Sequence, residues 1–415
     1  MENIKATQES IKERNIGLVL RNIKEDKQIS RIKLSKITKL AKSTISDLVN
    51  FLIKENIVSE SEKANSKIGK KPITIKFNKN YFFIIGVDIG IEKISVVIAN
   101  LFGEIIEKIE EKNNKIIGRD KILNNIFITI DTLLSNANID IKAKGLISIS
   151  THGVVNPETK IISNAPYLKD WDGINLVNIF RKKYKTDVLV ENCKNLGAIA
   201  EKYKYYENIE NLIYLEINYG IGAGIIINNK LITGKNGTMG EISYLPILNK
   251  NSYLKFKENK FGLGIFESQV DINGIVNIVN RELQKNKRNE EFEFSKVKGN
   301  LDFDSICDYY NKSSKNFIEK IIDNQVIKIL TIGIASIIAI VDTEIVIING
   351  AILKLGNKFI EKLINEVSEI SPFDVKIVVS KLGENAHIEG AISNGINYFN
   401  NLLYNNFFSL LKKRK

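Results

Sequence analysis

At 415 residues with 44% hydrophobic side chains, the chain is long enough for two to three domains with sizeable cores. Its two cysteines, Cys193 and Cys307, cannot build a disulfide framework, which points to a reducing cytoplasm rather than a secreted scaffold. The net charge of +12 is unevenly placed: residues 1–80 hold 15 lysines and 3 arginines against 7 glutamates and 2 aspartates, a net of +9 that leaves +3 for residues 81–415. The amino terminus is charged and lacks the apolar core of a signal peptide. The longest uncharged apolar run, Ile329 to Val341, is 13 residues, too short to span a bilayer, so no membrane partner is expected.

Ile16, Val19, Leu20 and Ile23 give a first helix with one apolar face. Arg31 to Thr38 predicts a shorter helix, with Ser30 as N-cap and Leu34 and Ile37 facing inward. A short link, Lys39-Leu40-Ala41, leads to Ile45, Leu48, Val49, Leu52 and Ile53, the buried stripe of another helix. Its opposite face carries Lys42, Ser43, Ser46, Asp47, Asn50 and Lys54. Short hydrogen-bonding side chains and an N-terminal lysine suit base edges and phosphates. A helical hairpin that packs and binds nothing is the bland alternative. Charge favours the first reading, because six lysines and no acid fall between Lys63 and Asn80, a patch that attracts a polyanion by counterion release.

Val58 to Glu60 and Ile73 to Ile75 alternate like two strands around a lysine-rich loop. Three helices and a ribbon make a winged helix-turn-helix over residues 1–79, with Gly69-Lys70-Lys71-Pro72 at the wing. Arg31, Lys42, Ser43, Thr44, Ser46, Asn50, Lys70 and Lys71 are the expected contacts with double-stranded DNA.

From residue 80 the pattern changes. Tyr81 to Gly90, Lys93 to Leu101 and Ile105 to Glu110 read as three linked strands, followed by a helix from Arg119 to Ser135 and a buried strand from Gly145 to Ser150. More strand signals fall at Val188 to Glu191, Leu212 to Ile217, Gly224 to Ile227 and Glu344 to Ile348, with helices between. Strands then alternating elements, seen twice, predict an α/β body of two related lobes and a ligand cleft. The expected lobes are about 80–193 with a C-terminal helix of about 388–412, and about 194–387.

Several motifs stand in a specific order: Gly86-Val-Asp-Ile-Gly90, Gly153-Val-Val-Asn-Pro157, Ala165-Pro166 with Trp171, Glu191-Asn192, Gly220-Ile-Gly-Ala-Gly224, Gly234-Lys-Asn-Gly-Thr-Met-Gly-Glu241 and Leu382-Gly-Glu-Asn-Ala386 with Gly390-Ala391. Together they resemble the ROK family of repressors and sugar kinases across nearly the whole chain. The resemblance implies an actin-like, ribonuclease-H-like ATPase fold. It also implies that an N-terminal winged helix marks a repressor, such as those for xylose or N-acetylglucosamine.

Departures from the family pattern separate kinase from repressor. The family's kinases carry the aspartate that takes the sugar hydroxyl proton directly after Asn192, where this chain has Cys193. After Asp88 and Gly90 the kinases carry Gly-Thr, but Ile91-Glu92 stands here, and a carboxylate repels nucleotide phosphates. Asn218-Tyr219 precedes Gly220 and Gly222 where small residues are usual, and Asn349-Gly350-Ala351 replaces a triple glycine. Asp88, Gly90, Gly220, Gly222 and Gly224 are therefore expected only to hold tight turns, with no nucleotide cofactor and no enzyme activity. The family's structural zinc needs one histidine and three cysteines. The matching stretches, Gly240 to Tyr244 and Gly264 to Glu267, carry neither, so no metal is expected, and neither His152 nor His387 is assigned to one.

The sugar site is only partly eroded. Asn192, Glu241 and Glu267 match family residues that hydrogen-bond sugar hydroxyls, a task suited to amides and carboxylates. Tyr167 and Tyr244 replace an asparagine and a histidine of the family pattern and could stack on a sugar face. Glu241 and Glu267 as mere structural hydrogen bonders are the alternative. The reading is a cytoplasmic, sugar-responsive repressor that binds a palindromic operator as a homodimer. Its rivals are a sugar kinase with an appended DNA-binding domain and a repressor whose pocket is dead.

Overall fold

Apolar spacing decides which face each of the first three helices buries. The computed structural model describes residues 8–26, 28–61, 73–113, 118–247, 264–286, 299–312 and 317–413. Helix α1 (Gln8–Glu25) buries Ile16, Val19, Leu20 and Ile23. After β1 (Ile29–Ser30), the Ser30 hydroxyl accepts from the Lys33 N–H at 3.2 Å and caps α2 (Arg31–Thr38). Leu34 is buried, but Ile37, expected to face inward, is 47% exposed. Three residues turn a helix by about 300°, so Ile37 sits beside the buried stripe of a helix only two turns long. Lys39 adopts a left-handed conformation (φ 59°) and leads to α3 (Lys42–Lys54), which buries Ile45, Leu48, Val49 and Leu52. Strands β2 (Val58–Ser61) and β3 (Thr74–Phe77) pair antiparallel, and β1 adds to β3. The connecting residues 62–72, with Lys70 and Lys71, lie outside the described residues.

Strands β4 (Phe83–Ile89), β5 (Lys93–Asn100) and β6 (Ile105–Lys112) form an antiparallel meander. Helix α4 (Arg119–Ala137), β7 (Gly145–Thr151), α5 (Leu176–Tyr184) and β8 (Val188–Asn192) follow, and the sheet runs β8-β7-β4-β5-β6. The chain then repeats the scheme. After α6 (Cys193–Tyr205), strands β9 (Leu212–Ile217), β10 (Ile221–Ile227) and the short β11 (Lys230–Leu231) make a second meander. Helices α7 (Ile272–Asn286), α8 (Phe303–Lys312) and α9 (Lys328–Val341) precede β12 (Ile345–Asn349), and α10 (Gly356–Ile370) precedes β13 (Lys376–Val379). The order β11-β10-β9-β12-β13 is that of the first sheet read from its other edge, with β12 parallel to both neighbours. This is the duplicated α/β body that the strand pattern predicts. The four-residue β13 was not foreseen.

Contacts group Met1–Ile149, Leu176–Val190 and Ala391–Lys415 in one unit, and Ser150–Asn175 with Glu191–Gly390 in the other. The first unit thus holds the N-terminal helices together with the meander expected to start a separate body. Residues 150–175, expected with the first lobe, fall in the second unit. Helix α11 (Ala386–Asn405) and helix α12 (Phe407–Lys413) end the chain. In the first unit Phe399, Leu403, Phe407 and Leu410 share one core with the buried faces of α1 and α3. The Phe82 and Phe399 rings stack at 4.4 Å between centroids. In the second unit, α7 to α10 bury their apolar faces against β9, β10 and β12.

The apolar run before β12 belongs to a longer helical stretch, Phe317–Val341, of 25 residues. By length and composition alone it could cross a membrane, unlike the 13-residue run read from sequence. One face is packed: Leu330, Gly333, Ile334, Ile337 and Ile338 are buried, and a Cβ on Gly333 would lie 2.3 Å from the Phe266 ring, while Ile332 and Ile340 are 49% and 78% exposed.

Gly17 gives a test of the seam between α1 and the C-terminal helix, because a Cβ there would lie 2.2 Å from the Tyr404 carbonyl oxygen. Gly17→Ala should cost about 1–3 kcal/mol through forced separation of the two backbones. A lower denaturant midpoint would register it, and an unchanged midpoint would refute the close contact.

Candidate functional site

Two places carry polar side chains that the fold does not need for packing. The first is the outer face of α3. Lys42, Ser43 and Asn50 are exposed, and Thr44 and Ser46 are half-buried. Ala41 at the N-cap provides no side-chain cap, so the first-turn N–H groups of α3 are not closed off by a side chain. Arg31 is already engaged: its guanidinium donates to Asn50 Oδ1 at 3.0 Å and to Glu60 Oε1 at 2.8 Å. It braces Asn50 from α2 and β2 rather than reaching out alone.

The second place lies wholly in the second unit, around the start of α6. Asn192 is its N-cap: Oδ1 accepts from the Lys194 N–H at 2.8 Å, and Nδ2 donates to the Gly153 carbonyl at 2.8 Å. One amide hydrogen and one lone pair remain for a ligand. Glu191 Oε1 accepts from the Asn192 N–H and from Asn195, and burial raises its carboxyl. Cys193 is fully buried, with its Sγ 3.8 Å from His152 Nδ1.

Lys194 is the electrostatic centre. Burial disfavours its charge, but Cys193, Glu216 and Glu241 face it and together raise its pKa above that of an ordinary lysine. Glu241 is pushed up by burial and pulled back by Lys194. Glu267 is likewise raised by burial, against hydrogen bonds from the Gly264 and Ile221 N–H groups and the charge of Lys194. Tyr167 donates its hydroxyl to the Tyr219 carbonyl, and burial with Glu267 and Asp271 nearby raises its pKa. Tyr244 is 37% exposed, and its hydroxyl accepts from Asn164 at 2.9 Å. Electrostatic or hydrogen-bond contacts to Lys194 therefore link Glu241, Glu267 and Tyr167, while Tyr244 is tied to the 150–175 segment.

Four further residues were missed from sequence. Glu216 is the next-to-last residue of β9 and is 1% exposed; it accepts from Tyr214 at 3.0 Å, from His387 at 2.6 Å and from Asn218 at 3.1 Å. Desolvation opposes its charge, but His387, Lys194 and His152 hold the carboxyl well below the usual range. A lone carboxylate in the strand Leu212–Ile217 was a readable signal, since an apolar strand does not bury a charge without a partner. Nothing local marked His387 or Lys194. Asp271 caps α7 by accepting from the Gly274 N–H, and burial with Glu267 nearby pushes its carboxyl up to about 7.

Gly220 sits in the tight turn expected of it, between β9 and β10, but the other two glycines of the motif have a different use. Gly222 and Gly224 lie inside β10: a Cβ on Gly222 would press on the Lys194 stem at 3.4 Å, and one on Gly224 would meet the Lys194 carbonyl at 2.4 Å. A Cβ on Gly220 would stand 2.7 Å from Glu267 Oε1. The glycines let α6 and Glu267 approach the strand. Gly90 does sit in a turn, close to the Lys93 carbonyl, and Asp88 is buried in β4.

Residues 84–261 match a family profile described as the ROK family. The chain is 32% identical over 390 residues to the xylose repressor of Caldicellulosiruptor bescii, covering 92% of this chain and 95% of that protein. Among solved structures, a ROK family transcriptional regulator, homologous to the E. coli MLC protein, superposes with a TM-score of 0.77 at 22% identity, covering 98% of this chain and 99% of its own. The ROK hexokinase from Thermus thermophilus gives a TM-score of 0.63 at 18% identity and is covered over 99% of its length, yet it spans 77% of this chain.

Asp271 makes the second unit sensitive to pH. Its carboxyl keeps its proton to about 7 when folded, against an ordinary 3.8. The stability this lends is complete below the lower value and is lost as pH rises through the upper one. Asp271→Asn keeps an acceptor for Gly274 without the charge. Denaturant unfolding at about pH 5 and about pH 8 should show the variant gaining on the wild type at the higher pH. An equal difference at both would remove Asp271 as the cause.

Proposed function

Because the chain belongs to the ROK family, we propose that it is a transcriptional repressor that binds DNA and responds to a sugar. The observation that carries this reading is kinship with a xylose repressor over 92% of this chain and 95% of that protein. On this reading the basic first fifth of the chain holds the DNA. Lys42, Ser43, Thr44, Ser46 and Asn50 face the major groove, Arg31 fixes Asn50 against Glu60, and the uncapped start of α3 receives a phosphate. Lys70 and Lys71 contact phosphates or the adjacent minor groove. A homodimer sets two α3 helices about 34–36 Å apart, which matches a palindromic operator in cytoplasmic DNA.

The sugar binds in the second unit, where Glu241, Glu267 and the spare amide groups of Asn192 hydrogen-bond its hydroxyls and Tyr167 and Tyr244 bound a ring face. Coupling of about 1–3 kcal/mol lowers DNA affinity by about 5- to 150-fold, enough for a switch. On this reading phosphoryl transfer is not part of the function, because the family resemblance puts the kinases' base where this chain has Cys193, buried at the start of α6.

A gel shift on the DNA upstream of its own reading frame, titrated with xylose, glucose and N-acetylglucosamine, tests this. One sugar should release the DNA. Asn50→Ala should weaken binding by about 1–3 kcal/mol, and Lys42→Ala should flatten the salt dependence. Glu241→Gln should bind DNA as the wild type does and lose the sugar response. Binding that no sugar alters, or sugar- and ATP-dependent turnover, would overturn the reading.

A further inference from the structure

The chain has two histidines, His152 and His387, and the fold brings both to one buried carboxylate. His387 Nε2 lies 2.6 Å from Glu216 Oε2. His152 contributes to the field at Glu216, and its Nδ1 is 3.8 Å from Cys193 Sγ. Donor atoms of Cys193, Glu216 and His387 all lie within 4.8 Å of one another. The four side chains come from four separate places: the bend after β7, the first residue of α6, the end of β9 and the first turn of α11. All belong to the second unit.

We propose that Cys193, Glu216, His387 and His152 form a site for a divalent transition metal of the zinc class. One thiolate, one carboxylate and two imidazoles are the borderline donor set that such ions select over calcium or magnesium. Three donors already stand within 4.8 Å of one another, and His152, beside Cys193, is the candidate for the fourth position of tetrahedral zinc, whose bonds run about 2.3 Å to sulfur and about 2.0 Å to nitrogen. An ion must displace the His387–Glu216 hydrogen bond and the Cys193 proton, so its binding competes with protons. None of the donors belongs to the stretch from Gly240 to Glu267 where the sequence resemblance places a structural zinc, and the site does not depend on the sugar reading. An ion here would pin the starts of α6 and α11 to β9.

The test uses the full chain after chelator treatment, titrated with Co(II). The expected result is a thiolate-to-cobalt charge-transfer band in the near ultraviolet, with the intense visible bands of four-coordination, both bleached by Zn(II). Cys307→Ser is the control, since burial pushes that thiol up to about 12 and it sits on α8 in a separate apolar setting; the variant should keep every band. Cys193→Ser should lose the charge-transfer band with an unchanged circular dichroism spectrum, and the double variant His152→Ala, His387→Ala should lose the four-coordinate visible bands. Zn(II) should raise the Tm of the wild type and not of these variants. Wild type that takes up no Co(II), takes it up without a thiolate band, or keeps that band once Cys193 is serine would overturn the proposal.

Discussion

A carboxylate buried at the end of an apolar strand must be balanced, and much of the second unit is arranged to balance Glu216. Desolvating an unpaired carboxylate costs several kcal/mol, more than a domain can spare. The answer is a ring of partners drawn from distant elements: Tyr214 on the same strand, Asn218 just past its end, His387 from α11 and Lys194 from α6. Lys194 reaches this position only because α6 lies close to β10, and that approach depends on Gly222 and Gly224 having no side chains. One charge therefore sets the helix placement, and the helix placement sets which other acids, Glu241 and Glu267, face the same lysine.

The first unit obeys a simpler constraint. Three helices and a small sheet make a small core, since small domains leave a large share of their surface in water. Here α1 and α3 share a core with Phe399, Leu403, Phe407 and Leu410 from the end of the chain. Phe51 on α3 meets Phe407 at 6.0 Å between ring centroids, and Lys12 lies over the Phe51 ring. The apolar side of the helix read as facing DNA is thus held by the last residues of the polypeptide. Its polar side is left to solvent and to whatever it binds.

Periodicity made the helices and most strands legible. The stripe Ile45, Leu48, Val49 and Leu52 and the alternation in Val58 to Glu60 report burial directly, because each face of a regular element repeats at a fixed interval. Ile37 escaped because a two-turn helix has room for one buried position rather than a stripe. Glu241 and Glu267, which share Lys194, were readable through motif order. The grouping of His152, Cys193, Glu216 and His387 was not, because proximity there is created by β7, α6, β9 and α11 meeting, and no local spacing encodes such a meeting.

The glycine-rich stretch shows why a retained motif is weak evidence for a retained reaction. Read as a phosphate loop, Gly220-Ile-Gly-Ala-Gly224 would count toward nucleotide binding. In the fold Gly222 and Gly224 belong to a strand, and a methyl group on Gly224 would collide with the backbone of Lys194. Alanine there would push α6 outward and carry Asn192, Cys193 and Lys194 with it. Selection on the shape of the second unit alone would keep these glycines whether or not a phosphate ever approaches. Cys193 is under no such geometric compulsion, for a small residue of many kinds fits a helix start. The identity of that one side chain therefore carries more weight in the repressor reading than the presence of the glycines carries against it.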